Sequence, residues 1–207
     1  MKVTKIILEA WESYKSKVGN SLLSPENEKM VQLQLAQLLQ SLAPVYEYKA
    51  SESIKVLLEV PVRIRGTVSR IIDIVVAHAC GNDMSYYAIE LKCFRLLTRT
   101  GGAKRGAQNL GMYDYWEDIE SIEGYSKLPG YSQSFQFTLT DDPYYVTTEH
   151  KGSQVAVYST NVARTAVTGN LSYPIANRAG AIQLAGTYSM AGWQQLGEFH
   201  FIDQRAP

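Results

Sequence analysis

Cysteine is scarce in this sequence, and neither sign of charge is in excess. The two cysteines, Cys80 and Cys93, are too few for a disulfide framework or a four-cysteine zinc site, so we expect free thiols. The 207 residues include 20 basic and 20 acidic ones, for a formal net charge of zero. This balance excludes the strongly basic class of nucleic-acid-binding proteins. Any contact with a polyanion therefore requires a local concentration of positive charge.

Long apolar runs are also missing. No stretch approaches the about 20 apolar residues of a membrane-spanning helix. The apolar stretch near the N-terminus is interrupted by Glu9 and Glu12, and no small-residue cleavage site follows it. We therefore expect no membrane segment and a cytoplasmic location. Hydrophobic residues still make up 45% of the chain, which is enough for a folded core.

The spacing of the apolar residues predicts secondary structure along most of the chain. Helices are predicted at 1–18 and from Ser24 to Leu42, because Ser24 is a favourable N-cap and Pro25 suits the first helical turn. Runs rich in Val, Ile and Tyr predict the strands that follow, which are mostly antiparallel. The predicted strands cover 45–49, 54–65, 69–78, 85–94, about 133–140, 181–188 and 195–203, and a long helix covers about 103–123.

This order of elements is typical of an α/β or α+β fold, with a central mixed sheet flanked by helices. At this length we predict a single domain over residues 1–207. Residues 141–207 are expected to add loops and short strands. No internal repeat or low-complexity tract is present.

The most informative residues are three charged ones within two apolar strands. Asp73 lies in the middle of one strand, where a buried carboxylate is costly unless it is paired or bound to a metal. Side chains alternate along a strand, so Glu90 and Lys92 face the same side of the next one. A hairpin around Gly81 would bring Asp73 beside both of them, if the register agrees.

Two carboxylates at the end of a sheet form a hard-oxygen site that suits Mg²⁺, which also accepts phosphate oxygens. A neighbouring lysine could orient or deprotonate an attacking water, or neutralise charge that develops on the phosphate. Asp73, Glu90 and Lys92 are therefore candidate catalytic residues for phosphodiester hydrolysis. Asp73 paired with Arg70 or Lys92, and Glu90 with Lys92 as an ordinary solvated pair, are the structural alternatives.

The sequence Asp73, sixteen intervening residues, then Glu90-Leu91-Lys92 resembles the PD-(D/E)xK nuclease superfamily, the restriction-endonuclease-like proteins. That family shares a core of one helix, three antiparallel strands, a helix and a further strand, and residues 24–140 are predicted in that order. The resemblance implies that Asp73 and Glu90 bind Mg²⁺, or Mn²⁺ in its place, and that Lys92 is the catalytic lysine. Ile72 stands where the motif's proline would be.

The resemblance suggests further site residues. Family members often add a glutamate from the first core helix, for which Glu28 is the best match, and Glu59 on the preceding strand is a rival metal ligand. Gln108 and Tyr113 resemble a glutamine–tyrosine pair that some members carry on the later helix. Their spacing is one residue too long, whereas Asn109 has the right spacing and the wrong residue type.

A run of basic residues between Lys92 and Arg105 is the predicted phosphate-contacting segment. It contains no acidic residue, and a helix N-terminus beside cations is a natural phosphate site. The later half of the long helix is acidic, including Asp118, and we expect it to face away from nucleic acid. The candidate nucleic-acid-binding residues are Arg95, Arg99, Lys104, Arg105 and Gln108.

Taken together, the sequence predicts a magnesium-dependent nuclease, with DNA endonuclease activity of a restriction or defence type as the leading form. Family members often pair when they cut both strands, which makes a homodimer one expectation. A non-catalytic nucleic-acid-binding or protein-interaction module on the same fold is the first alternative. An unrelated α+β domain with a chance motif is the second, and neutral net charge is its best support.

Overall fold

The computed structural model describes residues 2–64, 68–97, 102–150, 154–174, 178 and 181–206. Within these residues the chain forms four α-helices and eight strands, with short 3₁₀ turns between some of them. The helices are α1 Lys2–Gly19, α2 Glu28–Leu42, α3 Gln108–Tyr125 and α4 Pro143–Val146. The strands are β1 Glu52–Ile64, β2 Val68–Cys80, β3 Asp83–Phe94, β4 Tyr131–Thr140, β5 Val167–Ser172, β6 Ala181–Tyr188, β7 Gln194–Leu196 and β8 Phe199–Arg205.

A mixed six-stranded sheet forms the centre of the fold, in the order β1-β2-β3-β4-β8-β7. All neighbours are antiparallel except β3 and β4, which run parallel. A parallel pair needs a crossover connection, and α3 supplies it. Strands β5 and β6 form a separate two-stranded sheet beside α3. The predicted α+β class, with helices on a mixed sheet, is confirmed.

The sheet separates two hydrophobic clusters. On one face α1 and α2 cover the inward residues of β2, β3 and β4, with Trp11 stacked on Phe137 at 4.6 Å between ring centroids. On the other face α3 and β6 bury Trp116, whose indole N–H donates to Tyr158 O at 2.9 Å. Residue 89 of β3 faces the first cluster and residue 88 faces the second. Strand β3 is therefore packed on both of its faces.

Two predicted helix starts and one predicted strand are wrong. Helix α2 begins at Glu28 rather than after Ser24, because the Asn27 side chain accepts from Met30 N at 3.0 Å and caps the helix. The predicted strand at 45–49 is absent, since Ala43–Tyr46 forms a 3₁₀ turn. The long helix starts at Gln108 rather than 103, after Ala107 in the left-handed conformation. The last two predicted strands are present, as β6 and as the pair β7–β8.

In the β1–β2 hairpin, the apolar side chains of β1 change from one face of the sheet to the other at Glu59. Ile54 and Val56 pack against the cluster under α1 and α2, whereas Val62 and Ile64 pack against the cluster under α3. All four have even numbers, so an undisturbed strand would keep them on one face. Glu59 has φ 54°, a conformation that a non-glycine residue rarely adopts. The switch at Glu59 lets the far end of the hairpin lie over α3.

Candidate active site

Asp73 lies where the backbone pairing between β2 and β3 stops. The pairing of β2 with β3 ends at Ile74↔Ile89, one residue short of Asp73. Beyond that point the Asp73 side chain replaces the lost backbone contact, because its Oδ2 accepts from Leu91 N at 2.9 Å. This hydrogen bond uses one carboxylate oxygen. Asp73 is buried, with 8% of its surface exposed, and its second oxygen can still take a ligand.

Gln32 of α2 contacts both the Asp73 backbone and the Glu59 side chain. Its Nε2 lies 2.6 Å from Asp73 O and 2.6 Å from Glu59 Oε1. Glu59 also forms an ion pair with Lys29 at the protein surface. Its carboxylate is therefore engaged by α2. Glu59, predicted as a rival metal ligand, is absent from the residues that line the pocket at Asp73.

Glu90 and Lys92 project from β3 toward α3, as strand alternation predicts. Ile89 and Leu91 face the opposite cluster. Glu90 is buried, with 6% of its surface exposed, and Tyr125 at the end of α3 donates its hydroxyl to Glu90 Oε1 at 2.7 Å. The carboxylate is thus fixed in orientation by a helix residue that the sequence did not single out.

Lys92 lies between carboxylates from two helices. Its Nζ is 2.7 Å from Asp118 Oδ2 on α3 and 3.7 Å from Glu28 Oε2 at the start of α2. The Lys92 side chain is 16% exposed, as is that of Asp118. The acidic half of α3 is predicted to face away from nucleic acid, yet its Asp118 contacts the candidate catalytic lysine. Glu117 and Asp118 of the acidic half of α3 both line the cavity around Lys92, as does Glu28.

These residues line a cavity of about 210 Å³ that is open to solvent. Five carboxylates and two cations face it, so acidic groups dominate. Arg70, one of the cations, pairs with Glu117 at 3.0 Å. We call this cavity the carboxylate pocket. Its lining residues are Glu28, Arg70, Ile71, Asp73, Glu90, Lys92, Glu117, Asp118, Ser121 and Tyr125.

Burial and mutual repulsion change the acidity of the carboxylate pocket. Burial, followed by the charges of Asp118 and Asp73, raises the pKa of Glu90 well above its usual range. Burial likewise raises the pKa of Asp118 to about 7, against the opposing effect of Lys92. Burial also raises the pKa of Glu28. A cation bound beside these carboxylates would favour their ionised forms and so oppose the rise in their pKa values.

The pKa of Lys92 moves in the direction that keeps it charged. Burial alone lowers the pKa of a lysine, but here the charges of Asp118 and then Glu28 outweigh it and raise the pKa of Lys92 above its usual range. Lys92 is therefore an ammonium ion at any physiological pH. It can donate hydrogen bonds and supply positive charge, and it has no free electron pair to accept a proton.

No protein-family model, no curated protein and no solved structure matches this chain. Among the helices in the described ranges, none is long and apolar enough to cross a membrane.

The carboxylate pocket offers oxygen donors to a metal ion. Across the described residues no three His, Cys, Asp or Glu side chains already converge as a metal cluster would. Magnesium, however, is usually held by one or two carboxylates, with water and phosphate completing its shell. Asp73 and Glu90 each use one oxygen in a hydrogen bond and keep a second. The donor set and its surplus of negative charge fit such an ion.

The predicted phosphate-contacting segment is more dispersed than expected. Arg95 Nε pairs with Asp141 Oδ2 at 2.8 Å, and its guanidinium also donates to Pro25 O, so Arg95 has a structural role. Lys104 is exposed in an isolated bridge with Leu97. Arg105 donates its backbone N–H to Leu96 O. Because α3 starts at Gln108, Lys104 and Arg105 precede the helix instead of forming its first turn. Arg99 lies outside the described residues.

The glutamine–tyrosine pair on the later helix is not where the resemblance suggested. Gln108 Nε2 lies 3.5 Å from Asp142 Oδ2, and Tyr113 is buried edge-on against Tyr158. Neither lines the carboxylate pocket. The tyrosine that reaches it is Tyr125. About three helical turns separate Tyr113 from Tyr125 on α3.

Proposed function

We propose that this protein is a metal-dependent nuclease that hydrolyses phosphodiester bonds, with DNA as its substrate class and endonucleolytic cleavage as its mode. The observation that carries the proposal is the carboxylate pocket itself. Five carboxylates surround Lys92 and Arg70 in an open cavity. Carboxylates are rarely buried together without a partner that neutralises them, and a divalent cation is a suitable partner.

The arrangement of elements supports the same proposal. Helix α2, the antiparallel strands β1, β2 and β3, the crossover α3 and the strand β4 follow one another in the order of the PD-(D/E)xK core. Asp73 lies on the second strand of this series, and Glu90 and Lys92 lie on the third. A restriction-endonuclease-like core at 24–140 is therefore part of the proposal.

In this proposal Asp73 and Glu90 hold Mg²⁺, or Mn²⁺ in its place, and Glu28 is the next carboxylate available to it. A bound divalent ion would neutralise phosphate charge and lower the pKa of a coordinated water. Leu91 N–H and Tyr125 hydroxyl orient the two ligand carboxylates. Such hydrogen bonds from outside the ligand shell fix the direction in which ligand oxygens point.

Lys92 has a narrower role than the sequence allowed. The sequence left open whether the lysine deprotonates the attacking water or stabilises charge. Because Asp118 and Glu28 keep Lys92 protonated, it acts as a hydrogen-bond donor to the water or the phosphate, and not as the base. Preorganised positive charge of this kind stabilises the negative charge that develops during hydrolysis.

Electrostatics also indicate why a cation is needed. A phosphodiester carries negative charge, and the excess carboxylates of the pocket would repel it. With the whole chain at zero net charge, no general positive field compensates. Binding of nucleic acid at this pocket should therefore depend on divalent metal, unlike binding by a basic groove, which depends mainly on salt.

The deciding experiment is cleavage of plasmid, linear duplex DNA, single-stranded DNA and RNA with Mg²⁺, with Mn²⁺ and with EDTA. The Lys92→Ala protein is compared with wild type, and Lys55→Ala, an exposed lysine on β1, is the matched control. We expect metal-dependent cleavage that Lys92→Ala reduces by at least about 100-fold, in the range of an electrostatic catalytic group, and that Lys55→Ala retains.

A wild-type protein that cleaves none of these substrates requires a second experiment. If wild type cleaves nothing, calorimetric titration with Mg²⁺ and Mn²⁺ decides between the nuclease and a non-catalytic module. Absence of metal binding that depends on Asp73 and Glu90 would overturn the nuclease proposal. Nucleic-acid binding without cleavage would then favour a non-catalytic module on the same fold.

A further inference from the structure

A second cavity, which we call the side pocket, adjoins the carboxylate pocket. It has a volume of about 470 Å³ and lies between the far end of the β1–β2 hairpin, the C-terminal half of α3 and strand β6. Arg70 and Ser121 line both cavities. The two cavities are therefore neighbours that meet at Arg70 and Ser121, close enough for adjacent groups of one ligand to occupy them.

The carboxylates of the side pocket are already satisfied. Glu120 Oε1 accepts from Gln183 N at 3.0 Å. Glu123 is buried and accepts from Ala185 N at 2.8 Å, from Gly186 N at 2.7 Å and from the Tyr188 hydroxyl at 2.8 Å. These contacts join β6 to α3. In the carboxylate pocket, by contrast, acidic groups exceed their partners, so the two cavities suit chemically different parts of a ligand.

The remaining wall of the side pocket is apolar with a polar rim. Ile64, Leu128 and Ala185 supply apolar surface. Lys127 is exposed and forms no ion pair with any described residue. Gln183 presents a side-chain amide from an exposed strand position. An uncharged ring with hydrogen-bonding edges matches these walls, and a cation at the rim matches the phosphate attached to it.

We propose that the side pocket receives one unstacked base of the nucleic-acid strand whose backbone occupies the carboxylate pocket. This inference rests on the proposed function and adds a substrate feature to it. The cavity falls within the ~300–1,000 Å³ typical of sites for small organic groups, which admits a single nucleotide and no duplex. A base must leave the stack to enter such a cavity, so single-stranded or locally unpaired substrates bind best.

The test measures binding apart from cleavage. The Lys92→Ala protein is titrated with Mg²⁺ and a fluorescent single-stranded DNA 12-mer, and with the matching duplex. Ala185→Trp is added to fill the side pocket, and Ala181→Trp, on the same exposed face of β6 but outside the pocket, is the matched control. We expect Ala185→Trp alone to weaken single-strand binding by about 10-fold, on the order of the loss of one buried hydrogen-bonded group.

A second variant guards against a folding defect. Gln183→Leu approximately keeps the side-chain volume and removes the amide, and it should weaken binding of the single strand. A 2-aminopurine base placed at successive positions of the 12-mer should change fluorescence at one position, and Ala185→Trp should remove that change. Circular dichroism and thermal melting confirm that each variant is folded.

The two failures are distinguishable. Metal-dependent cleavage by wild type together with unchanged single-strand affinity in both Ala185→Trp and Gln183→Leu would overturn the side-pocket inference alone. Absence of both nucleic-acid binding and metal-dependent cleavage in wild type would overturn the proposed function, and this inference with it.

Discussion

Asp73 has a structural and a proposed chemical role that substitution can separate. Asp73→Asn keeps an oxygen to accept from Leu91 N–H, so stability should change by less than about 1 kcal/mol, whereas Mg²⁺ affinity should fall by at least about 10-fold with the charge. Asp73→Ala leaves that buried N–H without a partner and should cost about 1–3 kcal/mol. Urea unfolding and metal titration measure the two effects.

Asp83, exposed at the start of β3, provides the matched control for Asp73. Asp83→Asn removes the same charge from the neighbouring turn and should change neither stability nor metal affinity. Equal loss of Mg²⁺ binding in both variants would show that total charge, and not Asp73, governs the site.

Asp118 sets the pH range over which Lys92 stays charged. In Asp118→Asn the nearest negative charge to Lys92 is gone, so burial is less well opposed and the pKa of Lys92 should fall below its wild-type value. Since the protonated lysine is the active form in our proposal, the alkaline limb of the pH–rate profile should move to lower pH.

Asp114 lies one turn earlier on α3 and pairs with Arg178 instead. Asp114→Asn should leave the pH–rate profile where wild type has it. An unchanged alkaline limb in Asp118→Asn would show that Lys92 protonation does not control the rate.

The sequence indicated part of the candidate site and missed the rest for a physical reason. Asp73, Glu90 and Lys92 could be found because an apolar strand makes each charged residue conspicuous. Asp118 and Tyr125 lie on a helix where charged and apolar residues alternate every few positions, and a small error in helix orientation moves a side chain from solvent to pocket. The structure brings these residues together, and their catalytic roles stay predictions.

At the scale of elements, the start of α3 holds a strained residue. Ala107 has φ 62° immediately before Gln108, where a Cβ is unfavourable and glycine is not. Ala107→Gly should therefore stabilise the protein by about 0.5–1 kcal/mol. Thermal melting checks this. Ala163→Gly, at a described position without positive φ, should have the opposite sign, and destabilisation by both would contradict the strain.

Glu52 joins three elements at the beginning of β1. Its carboxylate pairs with Lys2 of α1 and His78 of β2 and accepts from Tyr48 N. The hydrogen bonds from Lys2, Tyr48 and His78 lower the pKa of Glu52 to about 2. A carboxyl pKa that is lower in the folded state contributes stability above its unfolded value of about 4.3, and the contribution disappears as the pH falls toward 2.

Glu52→Gln should therefore destabilise the protein at pH 6 and have little effect at pH 2. The measurement is urea unfolding of both proteins between pH 2 and 6. A difference between wild type and variant that stays constant over this range would show that the Glu52 charge is not the source of the contribution.

The elements themselves were largely predictable, and their ends and partners were not. Strands β1, β2 and β3 follow from their runs of Val, Ile and Tyr. The start of α2 was misplaced because two side chains, Ser24 and Asn27, are both good caps and only geometry chooses Asn27. The parallel pairing of β3 with β4 was also hidden, since periodicity gives which face a side chain takes and not which strand lies beside it.

For the whole molecule, metal binding should appear as stability. A ligand that binds only the folded state at 100 times its Kd adds about 2.7 kcal/mol. Mg²⁺ or Mn²⁺ should therefore raise the thermal midpoint of wild type, EDTA should reverse the rise, and Asp73→Asn should abolish it. An equal rise in wild type and Asp73→Asn would place the ion elsewhere on the protein.

The position of β8 in the sheet has a consequence for synthesis on the ribosome. Strand β4 lies between β3 and β8 in the sheet, and β8 is made much later than β4. At ~5–20 residues per second, roughly 65 residues separate the emergence of β4 from that of its partner, a delay of about 3–13 seconds. During that interval the nascent chain carries an open edge on an apolar strand, and edges of this kind recruit other strands. Chaperone dependence in the cell would then be set by the arrival of β8, and not by the segment that carries the candidate chemistry.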